Sequence, residues 1–328
     1  MQLLLDNVLH YAIQQQASDV HFIPSQSQVE IKLRVKDELI LYDTLNLDIY
    51  RKLLTLIKFQ AGLDISSHHK AQSGRYLYEY QSLYFLRVST LPLNLGIESC
   101  VVRITPQYFQ TSTNEPINEP IDDIKRIMEK KQGLILFSGP TGAGKSTLMY
   151  QMVLYAKERL NLNIITIEDP VEQILNGITQ ISVNERANIT YGTSLKAILR
   201  CDPDVILIGE IRDEKIAKDV IQASLSGHLV LSTIHASDCS GVLLRLLEMG
   251  TTQQDLIQAV NLVVNQRLIT TKSYERQLVY ETMRHSDIDY FLSNNYQLPN
   301  QFITLFDKLA LLEKEGVIDE TTLRRYQK

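Results

Sequence analysis

The opening stretch, MQLLLDNVLHYAIQQQ, sets its apolar residues at helical spacing and predicts an amphipathic helix to about Gln16. A period of two then takes over. Strands are predicted at 19–23, 29–35 and 38–42, followed by a helix at 48–61 that stops at Gly62. Three further strand patterns, rich in β-branched and aromatic residues, lie at 74–80, 83–90 and 99–104. Residues 1–106 therefore read as a small α/β domain. Residues 107–120, QYFQTSTNEPINEP, lose periodicity and gather Thr, Asn, Glu and two prolines, the composition of a linker that lets two domains move.

From Ile121 the pattern changes. Helical stretches alternate with short, nearly all-apolar runs at 134–138, 164–167, 205–208 and 229–233. Runs of that kind suit strands buried on both faces of a parallel sheet. Their alternation with helices predicts a doubly wound α/β core over 121–271. From 272 the chain turns polar and then helical at 302–315 and 319–326, so 272–328 reads as a helical C-terminal extension. No internal repeat is visible.

Composition adds limits. The 328 residues fit about two domains. With 44% hydrophobic and 22% charged residues the chain is globular and not disordered. Lys plus Arg number 33 against 38 Asp plus Glu, a formal charge of −5. That balance argues against a protein whose main task is gripping a nucleic-acid backbone. Cys100, Cys201 and Cys239 are spaced for neither a disulfide framework nor a CxxC metal site, and they read as small hydrophobes in a reducing compartment. No apolar run approaches the ~18 residues of a membrane span. The first helix lacks the basic region and cleavage site of a signal peptide. The expectation is a cytoplasmic protein that reaches a membrane only through a partner.

The strongest chemical signal is Gly139-Pro140-Thr141-Gly142-Ala143-Gly144-Lys145-Ser146-Thr147. It matches GxxxxGK[ST], follows an apolar run and precedes a helical one, the strand–loop–helix setting that a phosphate-binding loop requires. Glycines let backbone N–H groups turn inward around phosphate oxygens, and the helix N-terminus adds partial positive charge. Lys145 is placed to neutralise the β and γ phosphates and Ser146 to ligate Mg2+. Two of the apolar runs end in acids, ITIEDPVE at Glu168 and Asp169, and DVILIGE at Glu210. Ligands of open α/β sheets bind beyond the carboxyl ends of the strands, so these carboxylates arrive where the nucleotide sits. One such acid can order a metal shell while the other deprotonates the attacking water. His228 and His235 lie roughly 23 Å apart along a continuous strand and cannot share a metal ion. Ser232, Thr233 and His235 fall at that strand's carboxyl end, a position from which the γ-phosphate can be sensed.

GPTGAGKST, ITIEDPVE, LRCDPDVILIGEIRD and SGHLVLSTIHASD occur in the order and spacing of four boxes of the type II secretion and type IV pilus ATPase superfamily. ASDVH at 17–21, LRVSTLP at 86–92 and VVRI at 101–104 resemble signatures of that superfamily's N-terminal domain. The resemblance spans roughly residues 1–270. It implies a PAS-like N-terminal domain, a RecA-like P-loop ATPase domain and a homo-hexamer using ATP and Mg2+. It also implies a motor driving pilus-like fibres through an inner-membrane platform protein, peripheral to the inner face of the cell membrane. Carried over by position, Glu168 is the catalytic base, Glu210 serves the metal and water, and Arg87 and Arg103 reach the γ-phosphate.

The sequence departs from the pattern in places. Ala143 and Leu148 stand for the commoner Ser and Thr, and the last box reads SGH and HASD. The tetracysteine module and extra N-terminal domain of larger members, and the AIRNLIRE signature of retraction ATPases, are not found. In this the chain resembles the competence ATPases of Gram-positive bacteria, whose pseudopilus takes up DNA. A RecA-like nucleic-acid translocase and a nucleotide-binding module without turnover stay open as alternatives. The scattered Lys and Arg and the absence of Trp argue against the first.

Overall fold

The computed structural model describes residues 1–36, 38–93, 96–107, 121–273 and 275–326, with the side chain of Arg186 left aside. The expected linker lies, beyond Gln107, outside the described residues. The chain divides into two compact units, one of Met1–Phe109 with Glu172–Ile174, the other of Gln110–Val171 with Leu175–Lys328.

The first unit runs α1 (Gln2–Gln14), β1 (Asp19–Pro24), β2 (Gln28–Val35), β3 (Glu38–Asn46), α2 (Leu47–Gln60), β4 (Gln72–Tyr80), β5 (Ser82–Pro92) and β6 (Glu98–Pro106). Its strands form one antiparallel sheet ordered β3-β2-β1-β6-β5-β4. Strand alternation sends Val20, Phe22, Ile31, Leu33, Leu86, Val88 and Val102 into one core, where Leu5 and Leu9 of α1 and Leu53 and Ile57 of α2 meet them. Asn46 caps α2 by accepting from the N–H of Asp48.

The second unit runs α3 (Ile121–Lys130), β7 (Gly133–Ser138), α4 (Lys145–Leu160), β8 (Ile164–Glu168), β9 (Thr179–Ser182), α5 (Tyr191–Ile198), β10 (Val205–Ile208), α6 (Glu214–Leu225) and β11 (Leu229–Thr233). It continues through α7 (Cys239–Glu248), α8 (Gln253–Ala259), β12 (Val260–Thr270), β13 (Arg276–Arg284), α9 (His285–Ser293), α10 (Leu305–Lys314) and α11 (Glu320–Arg324). The sheet is ordered β13-β12-β7-β11-β10-β8-β9 and is parallel except for β13. Strands β7, β8, β10 and β11 are buried at every residue, as their apolar runs require.

One expectation is corrected here. Residues 272–328 are not wholly helical, because β13 pairs antiparallel with β12 at the sheet edge. Its sequence, RQLVYETMR, mixes charged and polar residues into the strand and so hides the alternation. The buried carboxylate of Glu281 within it accepts the N–H groups of Cys239 and Leu305, at the starts of α7 and α10.

Candidate nucleotide site

Strand β7 delivers the chain to residues 139–144 at its carboxyl end, and the loop opens directly into α4. Gly139 has φ +138°, and a Cβ there would meet the carbonyl oxygen of Gln266 at 2.4 Å, so only glycine fits. Gly144, with φ +83°, is the N-cap of α4 and supplies no side-chain cap. The first N–H groups of a sixteen-residue helix are thus left to an incoming acceptor. Pro140, Thr141 and Gly142 are exposed at the loop's tip, Ala143 is buried, Ser146 is half-buried and Thr147 exposed. The Nζ of Lys145 donates to the carbonyl oxygens of Gly139 and Pro140, each at 2.8 Å. Burial, then the nearby Arg267 guanidinium, holds this ammonium below the usual lysine range, against an opposing pull from Glu210. A triphosphate would bring the negative charge that favours the ammonium form.

The register of β8 and β10, Ile167 opposite Ile208, brings both acidic strand ends to the same edge of the sheet. Glu168 is 5% exposed. Its Oε1 accepts from Thr166 Oγ1 at 2.6 Å and Gln180 Nε2 at 3.1 Å, and its Oε2 accepts from the hydroxyl of Tyr150 on α4. Glu210 is more open and pairs with Arg212, which also donates to Asp169 Oδ2 at 2.7 Å. Those hydrogen bonds, the one to Glu210 first, push the Arg212 guanidinium pKa up. His235 Nε2 stands 3.6 Å from Glu210 Oε2.

Two hydroxyls expected to face phosphate do other work. Ser232 donates to the carbonyl of Ile208 at 2.8 Å and Thr233 to that of Gly209 at 2.7 Å, so both tie β11 to its neighbour β10. His228 lies at the start of β11 beside Ser226, away from the carboxyl end. The loop, Glu168, Glu210 and His235 thus share one end of one sheet. Arg87 and Arg103 belong to the other unit, where they are cross-strand neighbours on β5 and β6. Both are exposed, and the Nε of Arg103 donates to Asp19 Oδ1 at 2.9 Å.

The structure adds residues that sequence reasoning missed. Tyr150, Thr166 and Gln180 hold Glu168, and Arg212 bridges the other two acids. Gln266, fully buried, donates from Nε2 to the loop carbonyl of Ala143 at 2.6 Å. Arg267 donates to Asn265, Gln266 and Ser237 beside Gly139. The signal for the last two was present as three consecutive polar residues, Asn265 to Arg267, inside the apolar run of β12.

Comparisons with known proteins give the family and the fold. A family model described as type II/IV secretion system protein matches residues 1–295. The competence protein ComGA of Halalkalibacterium halodurans is 41% identical over 81% of this chain and 77% of its own. That of Bacillus subtilis is 37% identical over 80% and 74%. The X-ray structure of the Legionella pneumophila ATPase DotB superposes with a TM-score of 0.79 over 98% of this chain and 95% of that one, at 20% identity. The pilus retraction motor PilT with bound ADP gives 0.76 over 98% and 96%, at 23% identity. These likenesses place the fold among RecA-like P-loop ATPases that carry an N-terminal domain. The chain belongs to the type II/IV secretion system protein family and is an ATPase of the kind that powers secretion and pilus systems.

Proposed function

We propose that the chain works as a ring of six copies that hydrolyses Mg-ATP to assemble a pilus-like fibre, the pseudopilus of DNA uptake in competence. The ComGA relatives support the competence reading, and a motor for secretion or adhesion would use the same site. The ring acts on fibre subunits through a platform protein of the inner membrane, from the cytoplasmic face. No helix among the described residues is long and apolar enough to cross a membrane. With a net charge of −5, the chain has no need to touch DNA itself.

The observation that carries the reading is the uncapped N-terminus of α4, opened by a glycine-lined loop, at the same sheet end as Glu168 and Glu210. Loop N–H groups and Lys145 bind the β and γ phosphates and hold the γ-phosphorus in place. The residues fit magnesium bound mostly by phosphate and water. Ser146 and Glu210 offer one hydroxyl and one carboxylate, and no cluster of three or more ligating side chains occurs among the described residues. When bound, the ion offsets the charge that builds on the phosphate oxygens. Glu168 takes the proton of the attacking water, Glu210 orients that water, and His235 senses the γ-phosphate through Glu210. Arg87 and Arg103 of a neighbouring copy neutralise the γ-phosphate as it departs.

The test is the specific ATPase rate against protein concentration, with Glu168→Gln as the blank. A rate that climbs as copies assemble is expected. A flat rate from a sample that sizes as a monomer would sink the ring, and wild-type turnover by Glu168→Gln would sink the base.

A further inference from the structure

Glu168 is a buried carboxylate with three side-chain donors on it, and they are unevenly shared. Each carboxylate oxygen offers about two lone-pair sites. Oε1 receives two donors, Thr166 from the same strand and Gln180 from β9, and is saturated. Oε2 receives only the hydroxyl of Tyr150. One lone pair, on Oε2, therefore stays unclaimed among the described residues. Tyr150 is itself 2% exposed, and it sits on the helix that begins with Lys145 and Ser146. The five-residue step from Lys145 rises ~7.5 Å along that helix. One rigid element thus carries both the phosphate-binding lysine and the donor on the acid.

We propose that Tyr150 is a positioning residue for hydrolysis: its phenol fixes Oε2 so that a single lone pair of Glu168 is presented to the attacking water. This rests on the reading of Glu168 as the base. In the step itself, one O–H bond of water breaks and its proton passes to Oε2. The water oxygen forms the new bond to the γ-phosphorus, and the electron pair of the old bridging P–O bond leaves with the diphosphate. Thr166 and Gln180 keep Oε1 from competing for the proton.

The experiment uses the full-length protein and follows kcat and KM for Mg-ATP in Tyr150→Phe, Thr166→Val and Glu168→Gln. Tyr150→Phe is expected to lower kcat on the order of tenfold near neutrality, with KM within about twofold. A phenol that positions the base acts on the chemical step alone, so the loss sits in kcat and not in KM. A purely structural phenol would raise KM as far as it lowers kcat, and that outcome, or a kcat matching wild type, overturns the proposal. Should Tyr150→Phe fail to fold, Thr166→Val carries the same test, since it also strips a donor from Glu168 and must lower kcat with KM held. An inactive Glu168→Gln beside a Tyr150→Phe kcat equal to wild type overturns the positioning role alone. An active Glu168→Gln overturns the base assignment and this proposal with it.

Discussion

Lys145 folds back on its own loop, and the burial that depresses its pKa is reinforced by Arg267 on β12. Only the ammonium form attracts phosphate. Nucleotide affinity is therefore full below the depressed pKa and falls as pH rises through it, earlier than for an ordinary lysine. Replacing Arg267 by Gln removes a repelling charge and raises that pKa, which moves the alkaline limb of nucleotide binding to higher pH. Titrating nucleotide Kd against pH in both proteins checks it, and coincident limbs would show that Arg267 does not set the charge of Lys145.

Elements are held by similar economies of buried charge. In the first unit Lys58 of α2 and Glu98 of β6 form an ion pair with both side chains 1% exposed, at 2.6 Å. Lys58 also donates to the carbonyl of Ser67, and His68 Nδ1 lies 2.9 Å from the same Glu98 oxygen. Burial pushes the Glu98 carboxyl up, but the hydrogen bonds from Lys58 and His68 outweigh it and hold the pKa low. Lys58→Met leaves the buried Glu98 charge without its cation, with only His68 beside it, and should cost about 3–5 kcal/mol, while Lys58→Met with Glu98→Leu should cost clearly less. Chemical denaturation of the single and double variants gives both figures. Since the folded pKa lies below the unfolded one, Glu98 stabilises above the ordinary carboxyl range. That contribution fades as pH falls through the depressed value. The two partners were invisible in the sequence, because Lys58 sits in an amphipathic helix and Glu98 beside a turn, with nothing local to join them. Periodicity did mark every strand of that sheet and the four innermost apolar runs of the other. It failed at β13, whose charged residues hide a strand that only pairing with β12 stabilises. The site divides in the same way. A phosphate loop is legible because its glycines act on their own backbone, within nine residues of chain. Tyr150 occupies an apolar slot of α4 and reads as core until the fold sets Glu168 against it.

At the scale of the whole molecule, the loop, Glu168 and Glu210 lie in one unit while Arg87 and Arg103 lie in the other. On the proposed ring these arginines serve the loop of an adjacent copy, and that arrangement makes a mixing prediction. Lys145→Ala keeps its arginines but loses its loop, whereas Arg87→Gln keeps its loop but loses an arginine. Each alone should turn over at least ~10-fold slower than wild type. In an equimolar mixture that exchanges copies, roughly one junction in four joins an intact loop to an intact arginine. If junctions act independently, the mixture should recover about a quarter of the wild-type rate, and less if firing must pass around the whole ring. Activity no greater than the sum of the separate proteins, after exchange is verified with labelled copies, would mean that Arg87 acts on its own chain's nucleotide. The same mixture made with Arg103→Gln separates the two arginines. Asp19 holds Arg103 at 2.9 Å, so Asp19→Ala should reproduce part of the Arg103 defect and be complemented by the same Lys145→Ala copies.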